Sequence, residues 1–286
     1  MFIEKSIFNI KNNTLIVIEG DDKYKFIQGI ISNDIELLKK KKSIYGSILS
    51  PQGRFIHDFF ITKWNNNFIL ECSRLDSDEI LKKFNLYKLK SDVKFKIETN
   101  FKIFLINFSS LETVDSSVRS KLLNFSDPRF NNELTRVYID EKYSLKFIKY
   151  FNSLNEQEFF DFRLKKTIPN FNDDAQKNKS LLLEMRFDEL NGISWEKGCY
   201  MGQEITARMK YRNIIKKKIF CVSINFKTRL DKKIFSKNKQ IGELFSHNKI
   251  FGIAYINTDF DFSENDVICG DSKLKISLPW WCEKKL

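Results

Sequence analysis

Asn191-Gly-Ile-Ser-Trp-Glu-Lys-Gly-Cys-Tyr-Met-Gly-Gln-Glu-Ile-Thr-Ala-Arg208 holds three of the chain's ten glycines, Gly192, Gly198 and Gly202. Glycine concentrated in a chain otherwise poor in it marks a backbone that needs unusual dihedrals or close approach by another group. From Gln203 onward the residues read as a helix, which sets Cys199 shortly before a helix N-terminus and two residues from Lys197. Both the macrodipole and the ammonium favour thiolate over thiol, the setting of a reactive cysteine. The alternative is a small apolar filler in a tight turn, the commoner use of a free cysteine. Glu204 and Arg208, spaced i, i+4 with the acid first, make a favourable helix pair, and Arg212 continues that face. They serve either as an exposed ion pair or to orient the thiolate and grip an anionic ligand.

Upstream of this segment the pattern is mixed. Residues 15–18 form a short apolar strand, and Asp21 then caps a helix whose face is Phe26, Ile27, Ile30 and Ile31. Strands follow at 44–49, 55–62 and 68–72, with Pro51-Gln52-Gly53 as the turn of a hairpin. A helix at 77–89, strands at 93–97, 101–107 and 136–140, and a helix at 155–165 complete this region. Thr167 to Ser180 is polar and reads as an ordered surface loop. Beyond a boundary near 213, short β segments at 219–226, 241–245, 250–256 and 273–278 suggest a small all-β barrel or sandwich. The fold class is α+β, divided as 1–213 and 214–286.

The 286 residues, 42% hydrophobic and 30% charged, can bury a real core and exclude a disordered tail. Forty-nine basic against 37 acidic residues leave +12, which raises an anionic partner or, more simply, an AT-biased coding sequence rich in Lys, Ile, Asn and Phe. The basic runs Lys39–Lys42 and Lys216–Lys218 read as solvated faces. Five scattered cysteines with no CxxC pair argue against a disulfide framework or a zinc site. Cys72, Cys221 and Cys269 sit in strand-like segments and Cys282 in the tail, all four as structural residues. No apolar run approaches a bilayer span and no secretory signal opens the chain, so the expectation is a cytoplasmic monomer with reduced thiols, without membrane or direct nucleic-acid partners.

Lys197-Gly-Cys-Tyr-Met-Gly-Gln-Glu204, followed by Ala207-Arg208, resembles the K-G-C-F/Y-x-G-Q-E signature of the YgfZ proteins, folate-binding relatives of the glycine-cleavage T-protein. Gly20-Asp21 with Phe26-Ile-Gln-Gly29 and Ser32-Asn-Asp34 is similar to that family's N-terminal motif. Ser50-Pro-Gln-Gly-Arg54 with Asp58 resembles its N-P-x-G-R-x-x-x-D, and Asp127-Pro-Arg129 its D-P-R. Ile241-Gly242, Ser246 and Gly252-Ile-Ala254 resemble its barrel pattern. Thr167 and Thr135 stand where the family has glycines, which concerns local loop geometry.

The resemblance implies two intertwined T-protein-like α/β sandwich subdomains and a C-terminal β-barrel, arranged as a ring around a cavity that binds tetrahydrofolate. It implies an accessory factor for assembly or repair of iron-sulfur clusters in four-iron enzymes, including radical-SAM tRNA-modifying ones, that need not turn over a substrate. Its partners would be assembly proteins and client enzymes, and no metal would be held permanently. Cys199 and Lys197 are the residues implied to act. Gln203, Glu204, Arg208, Asp34 and Arg54, with Glu184 where T-protein relatives place an acid facing the pterin, are implied to bind the cofactor. A carboxylate can accept donors from a pterin ring, and arginines suit the glutamate tail. The alternative from the same fold is a folate-dependent aminomethyl or methyl transferase. An RNA-binding module is disfavoured because no RNP-like or double-stranded-RNA element is present.

Overall fold

The computed structural model describes residues 5–130, 133–263 and 266–282. In chain order the first strands are β1 (Ser6–Asn9), β2 (Asn13–Glu19), β3 (Ser43–Leu49), β4 (Phe55–Trp64), β5 (Asn67–Ser73), β6 (Lys94–Glu98), β7 (Phe101–Asn107), β8 (Leu122–Ser126), β9 (Leu134–Asp140) and β10 (Asn152–Ser153). The helices are α1 (Lys23–Ile30), α2 (Ser77–Tyr87), α3 (Ser116–Arg119), α4 (Glu141–Ile148), α5 (Glu156–Lys165), α6 (Phe171–Asp174) and α7 (Gln203–Arg212). Two five-stranded sheets run in the orders β3-β4-β5-β2-β6 and β10-β1-β7-β9-β8.

Alternation along the strands decides what each face meets. On β5, Phe68, Leu70 and Cys72 enter a core with Phe26 and Ile27 of α1 and Ile80 and Phe84 of α2. On β9, Val137 and Ile139 join Phe104 and Ile106 of β7 and Phe147 of α4. Glu71 on the other face of β5 meets Arg136 and Tyr138 on the other face of β9. Each sheet is therefore lined by helices on one side and joined to the other sheet through a buried polar layer.

Strands β11 (Lys217–Asn225), β12 (Lys233–Ser236), β13 (Lys239–His247), β14 (Phe251–Asn257), β15 (Val267–Cys269) and β16 (Ser272–Ser277) close a barrel in the order β11-β14-β13-β12-β15-β16. Phe220, Val222, Ile234, Leu244, Ile256 and Leu274 fill its interior. The chain divides into two compact units. The first holds residues 1–51, 56–155 and 190–201; the second holds 52–55, 156–189 and 202–286. The barrel thus begins just past the boundary expected at 213, while its compact unit also takes in α5, α6 and α7.

Two local expectations are corrected. The N-cap of α1 is Asp22, not Asp21, and its carboxylate accepts from the backbone N–H of Asp92 instead of capping the helix. Residues 167–180 are a surface loop only in part, exposed at Asn170 and at 177–179. They contain α6, and Asp174 within it is fully buried, accepting from Arg163 Nη1 at 2.6 Å and the Asn170 amide at 2.9 Å. Thr167, where the family has glycine, is buried with φ of +49°, a left-handed conformation that a β-branched residue adopts under strain. Its carbonyl accepts from Trp281 Nε1 at 3.0 Å.

Candidate functional site

A helix leaves its last carbonyls without intrahelical partners. For α1 those partners come from the glycine-rich segment. Lys197 Nζ donates to the carbonyls of Gln28, Ile31 and Asn33 at 2.7, 2.7 and 2.9 Å, and Met201 N donates to Gly29 O at 3.1 Å. Upstream, Ser194 N donates to Ser32 O, and Ser32 Oγ to Gly192 O at 2.7 Å. Asn33 Nδ2 bridges the carbonyls of Tyr45 and Asn191. The N-terminal motif and the signature, about 160 residues apart in sequence, are one hydrogen-bonded unit.

This unit explains Lys197 differently from the sequence reading. Its ammonium directs three N–H donors at carbonyls and lies 4.8 Å from the Tyr200 ring. Burial pushes its pKa down to about 8, with the Asp34 carboxylate pulling the other way. Lys197 is a clamp that fixes the segment's position. Cys199 is exposed and has no hydrogen-bond or charged partner among the described residues, so Lys197 does not pair with it. Asp34 caps the 3₁₀ turn Ile35–Lys39: its Oδ1 accepts from the Glu36 amide and from Gln28 Nε2, both at 2.9 Å.

The other expected residues belong to the second unit. Gly53, in the turn before β4, has φ of +71°, and a Cβ there would sit 2.7 Å from Gly202 O and 2.9 Å from Ile205 Cβ. Gly202 is itself left-handed, at φ of +80°, and is the N-cap of α7. The two glycines let the turn lie directly against the start of that helix. Next to Gly53, Arg54 Nη1 donates to Lys179 O at 2.8 Å. Glu184 is half-buried, and burial raises its carboxyl above the ordinary range against the opposing pull of Lys217, Arg54 and Lys216. Gln203 opens α7, while Glu204 and Arg208 are exposed on it and carry no ion pair among the described residues. The helix pair expected from their spacing does not form.

Sequence reasoning missed the polar layer between the sheets. Glu71 accepts from Arg136 Nη1, from Tyr138 Oη at 2.7 Å and from Asn13 Nδ2 at 2.5 Å. Asp127 accepts from Arg129 Nε and Nη2 at 3.0 and 2.9 Å and from Arg136 Nε at 3.1 Å. Burial alone would raise Asp127, but the two guanidinium groups hold it below the usual carboxylate range. Arg136 also lies 3.7 Å over the Phe60 ring. The available signal was one charged residue inside each of two otherwise apolar strands, Glu71 and Arg136.

No family model matches the chain. Its sequence is 28% identical over 261 residues to the mitochondrial iron-sulfur cluster assembly factor IBA57 homologue of Dictyostelium discoideum, covering 79% of this chain and 64% of that protein. It is 27% identical over 235 residues to the Neurospora crassa homologue, covering 76% and 53%. It is 24% identical over 237 residues to the mouse protein, covering 76% and 66%. The chain therefore spans between about half and two thirds of the length of these relatives. The structure superposes on glycine cleavage system aminomethyltransferase T from Bartonella henselae with a TM-score of 0.77 at 11% identity, covering 96% of this chain and 85% of that one. The chain has the aminomethyltransferase T fold, with its closed six-stranded C-terminal barrel, and a sequence similar to mitochondrial iron-sulfur cluster assembly factors.

Proposed function

We propose that this protein is a YgfZ-type accessory factor for assembly or repair of iron-sulfur clusters, that it binds tetrahydrofolate, and that Cys199 is its working group. One observation carries the reading: an exposed thiol stands on a segment locked to α1 and the turn after it by four hydrogen bonds from Lys197 and Met201. A buried filler would not need such a mount. The similarity to iron-sulfur assembly factors supplies the process, with assembly proteins and four-iron client enzymes as partners, tRNA-modifying ones among them. The cytosol is the proposed compartment.

The residues of the second unit fit tetrahydrofolate. Glu184 is a half-buried carboxylate with cations around it, suited to accept from pterin N–H groups, while Arg54, Lys216 and Lys217 suit the carboxylates of the glutamate tail. When bound, the cofactor would supply a carrier for one-carbon units. Arg54 is oriented by the Lys179 carbonyl, and burial raises the Glu184 carboxyl while Lys217, Arg54 and Lys216 pull it down.

The test is deletion of the gene in its host, with the activity of a four-iron enzyme and tRNA methylthiolation measured. Rescue by wild type and not by Cys199→Ser is expected. Rescue by both proteins removes Cys199 from the mechanism. Unchanged activities on deletion overturn the role and favour the transferase that the fold also allows, detected as release of a methylene group to tetrahydrofolate from an aminomethylated lipoyl carrier.

A further inference from the structure

The lysine run read as a solvated face borders the signature segment. Lys39 pairs with Glu36, but Lys40, Lys41 and Lys42 are exposed and carry no ion pair among the described residues. Lys41 and Lys42 line a cleft of about 630 Å³ in the first unit, together with Trp195, Glu196, Ile193 and Asn191. Three neighbouring ammonium groups outside any ion pair present a positive edge that attracts an anionic group.

The cleft is built rather than incidental. Asn191 Nδ2 donates to Pro128 O at 2.9 Å, Asn33 Nδ2 to Asn191 O at 2.8 Å, and Thr62 Oγ1 to the carbonyl of Lys42 at 2.7 Å, so the walls are pinned to one another. Asp127, also in the lining, is neutralised by Arg129 and Arg136, which leaves Glu196 as the acid facing the lysines. Trp195 is 37% exposed, a large apolar ring beside these cations. The volume suits a few side chains of an extended segment.

We propose that this cleft docks an acidic segment of the protein on which Cys199 acts, its carboxylates on Lys41 and Lys42 and an apolar side chain against Trp195. The proposal rests on the function assigned to Cys199 above. Trp195 and Cys199 share one clamped segment and, four residues apart, are separated by at most about 14 Å of chain. A partner held at Trp195 is therefore held beside the thiol.

The probe is a fluorescein-labelled heptapeptide of six acidic residues around one phenylalanine, followed by anisotropy against the full-length protein. Three variants are compared with wild type: Lys41→Glu with Lys42→Glu, Trp195→Ala, and Lys233→Glu with Lys273→Glu, a pair exposed on the barrel. Thermal melts confirm folding. The cleft pair should weaken binding at least tenfold, Trp195→Ala at least threefold, and the barrel pair less than twofold. Equal losses for the two pairs would reduce the effect to net charge and overturn the proposal, as would an unchanged affinity for Trp195→Ala or displacement of the peptide by tRNA at far lower concentration. Complementation separates the two readings. If the cleft variant fails to rescue while its Cys199 is alkylated at the wild-type rate, docking is lost with the thiol intact; if Cys199→Ser rescues fully, the thiol's role falls while the peptide affinities stand.

Discussion

The three carbonyls around Lys197 Nζ come from the last turn of α1 (Gln28), its C-cap (Ile31) and the turn that follows (Asn33), so one ammonium satisfies carbonyls at and just past the negative pole of the helix dipole. Lys197→Met keeps the stem and strips the donors. It should destabilise the protein by about 2 kcal/mol at neutral pH, measured by urea unfolding. The pH dependence follows from burial, which holds Lys197 at about 8, below the value near 10.4 of an unfolded lysine. Between those values the unfolded chain binds a proton that the folded chain lacks, so the lysine's contribution to stability rises with pH. The difference between wild type and Lys197→Met should widen from pH 7 to pH 10, and a narrowing would disprove the assignment. Thr135 is a second single-residue case. Its hydroxyl is buried in β9 with no hydrogen-bond partner among the described residues. Thr135→Val preserves shape and removes the unmet donor, and should raise stability by about 1 kcal/mol in the same measurement.

At the scale of elements, two junctions depend on features that side-chain size or charge cannot vary. Gly53→Ala places a methyl group 2.7 Å from Gly202 O at a left-handed position, so either the turn or the start of α7 must move. A loss of about 2–3 kcal/mol is expected, with amide exchange accelerated first at the N-terminus of α7. Between the sheets, Arg136→Met removes the guanidinium from the buried Glu71 carboxylate and leaves Asp127 with Arg129, and should destabilise by about 3–5 kcal/mol. Adding Glu71→Gln should then restore part of that loss, a coupling that a double-mutant cycle reads directly. Most strands and the helices α1 and α2 were legible in the sequence because their apolar residues keep a period of 2 or 3.6, while α5 and α7 were recognised without a clean apolar face. The segment around α6 was not: its polar residues look solvated, yet Asp174 is satisfied by Arg163, eleven residues earlier, and by the amide of Ser246 in the barrel. The site divided in the same way. The signature pointed to Cys199 and Lys197, but the clamp on α1 is made of backbone carbonyls, which leave no mark on side-chain identity.

Across the whole molecule the five cysteines occupy very different surroundings, and this bears on what the protein can hold. Cys72, Cys269 and Cys282 are buried, and burial raises all three thiols, Cys282 to about 12. Cys221 is partly exposed on the barrel strand β11, and Cys199 is exposed. A thiol must ionise to act as nucleophile or ligand, so a raised pKa silences the buried three at neutral pH. No group of three or more His, Cys, Asp or Glu side chains is placed to hold a metal among the described residues. A stable cluster generally needs three or four thiolates from one site, which the exposed Cys199 and the partly exposed Cys221 cannot supply. Titration of the native protein with Ellman's reagent at pH 7.5 should therefore show one fast thiol, lost in Cys199→Ser, and all five after denaturation. Anaerobically purified protein should carry iron and acid-labile sulfide far below one equivalent per chain. Stoichiometric iron, or a fast phase that survives Cys199→Ser and also Cys199→Ser with Cys221→Ser, would mean that the buried cysteines open to solvent, and that the clamped segment is not where the chemistry of this chain resides.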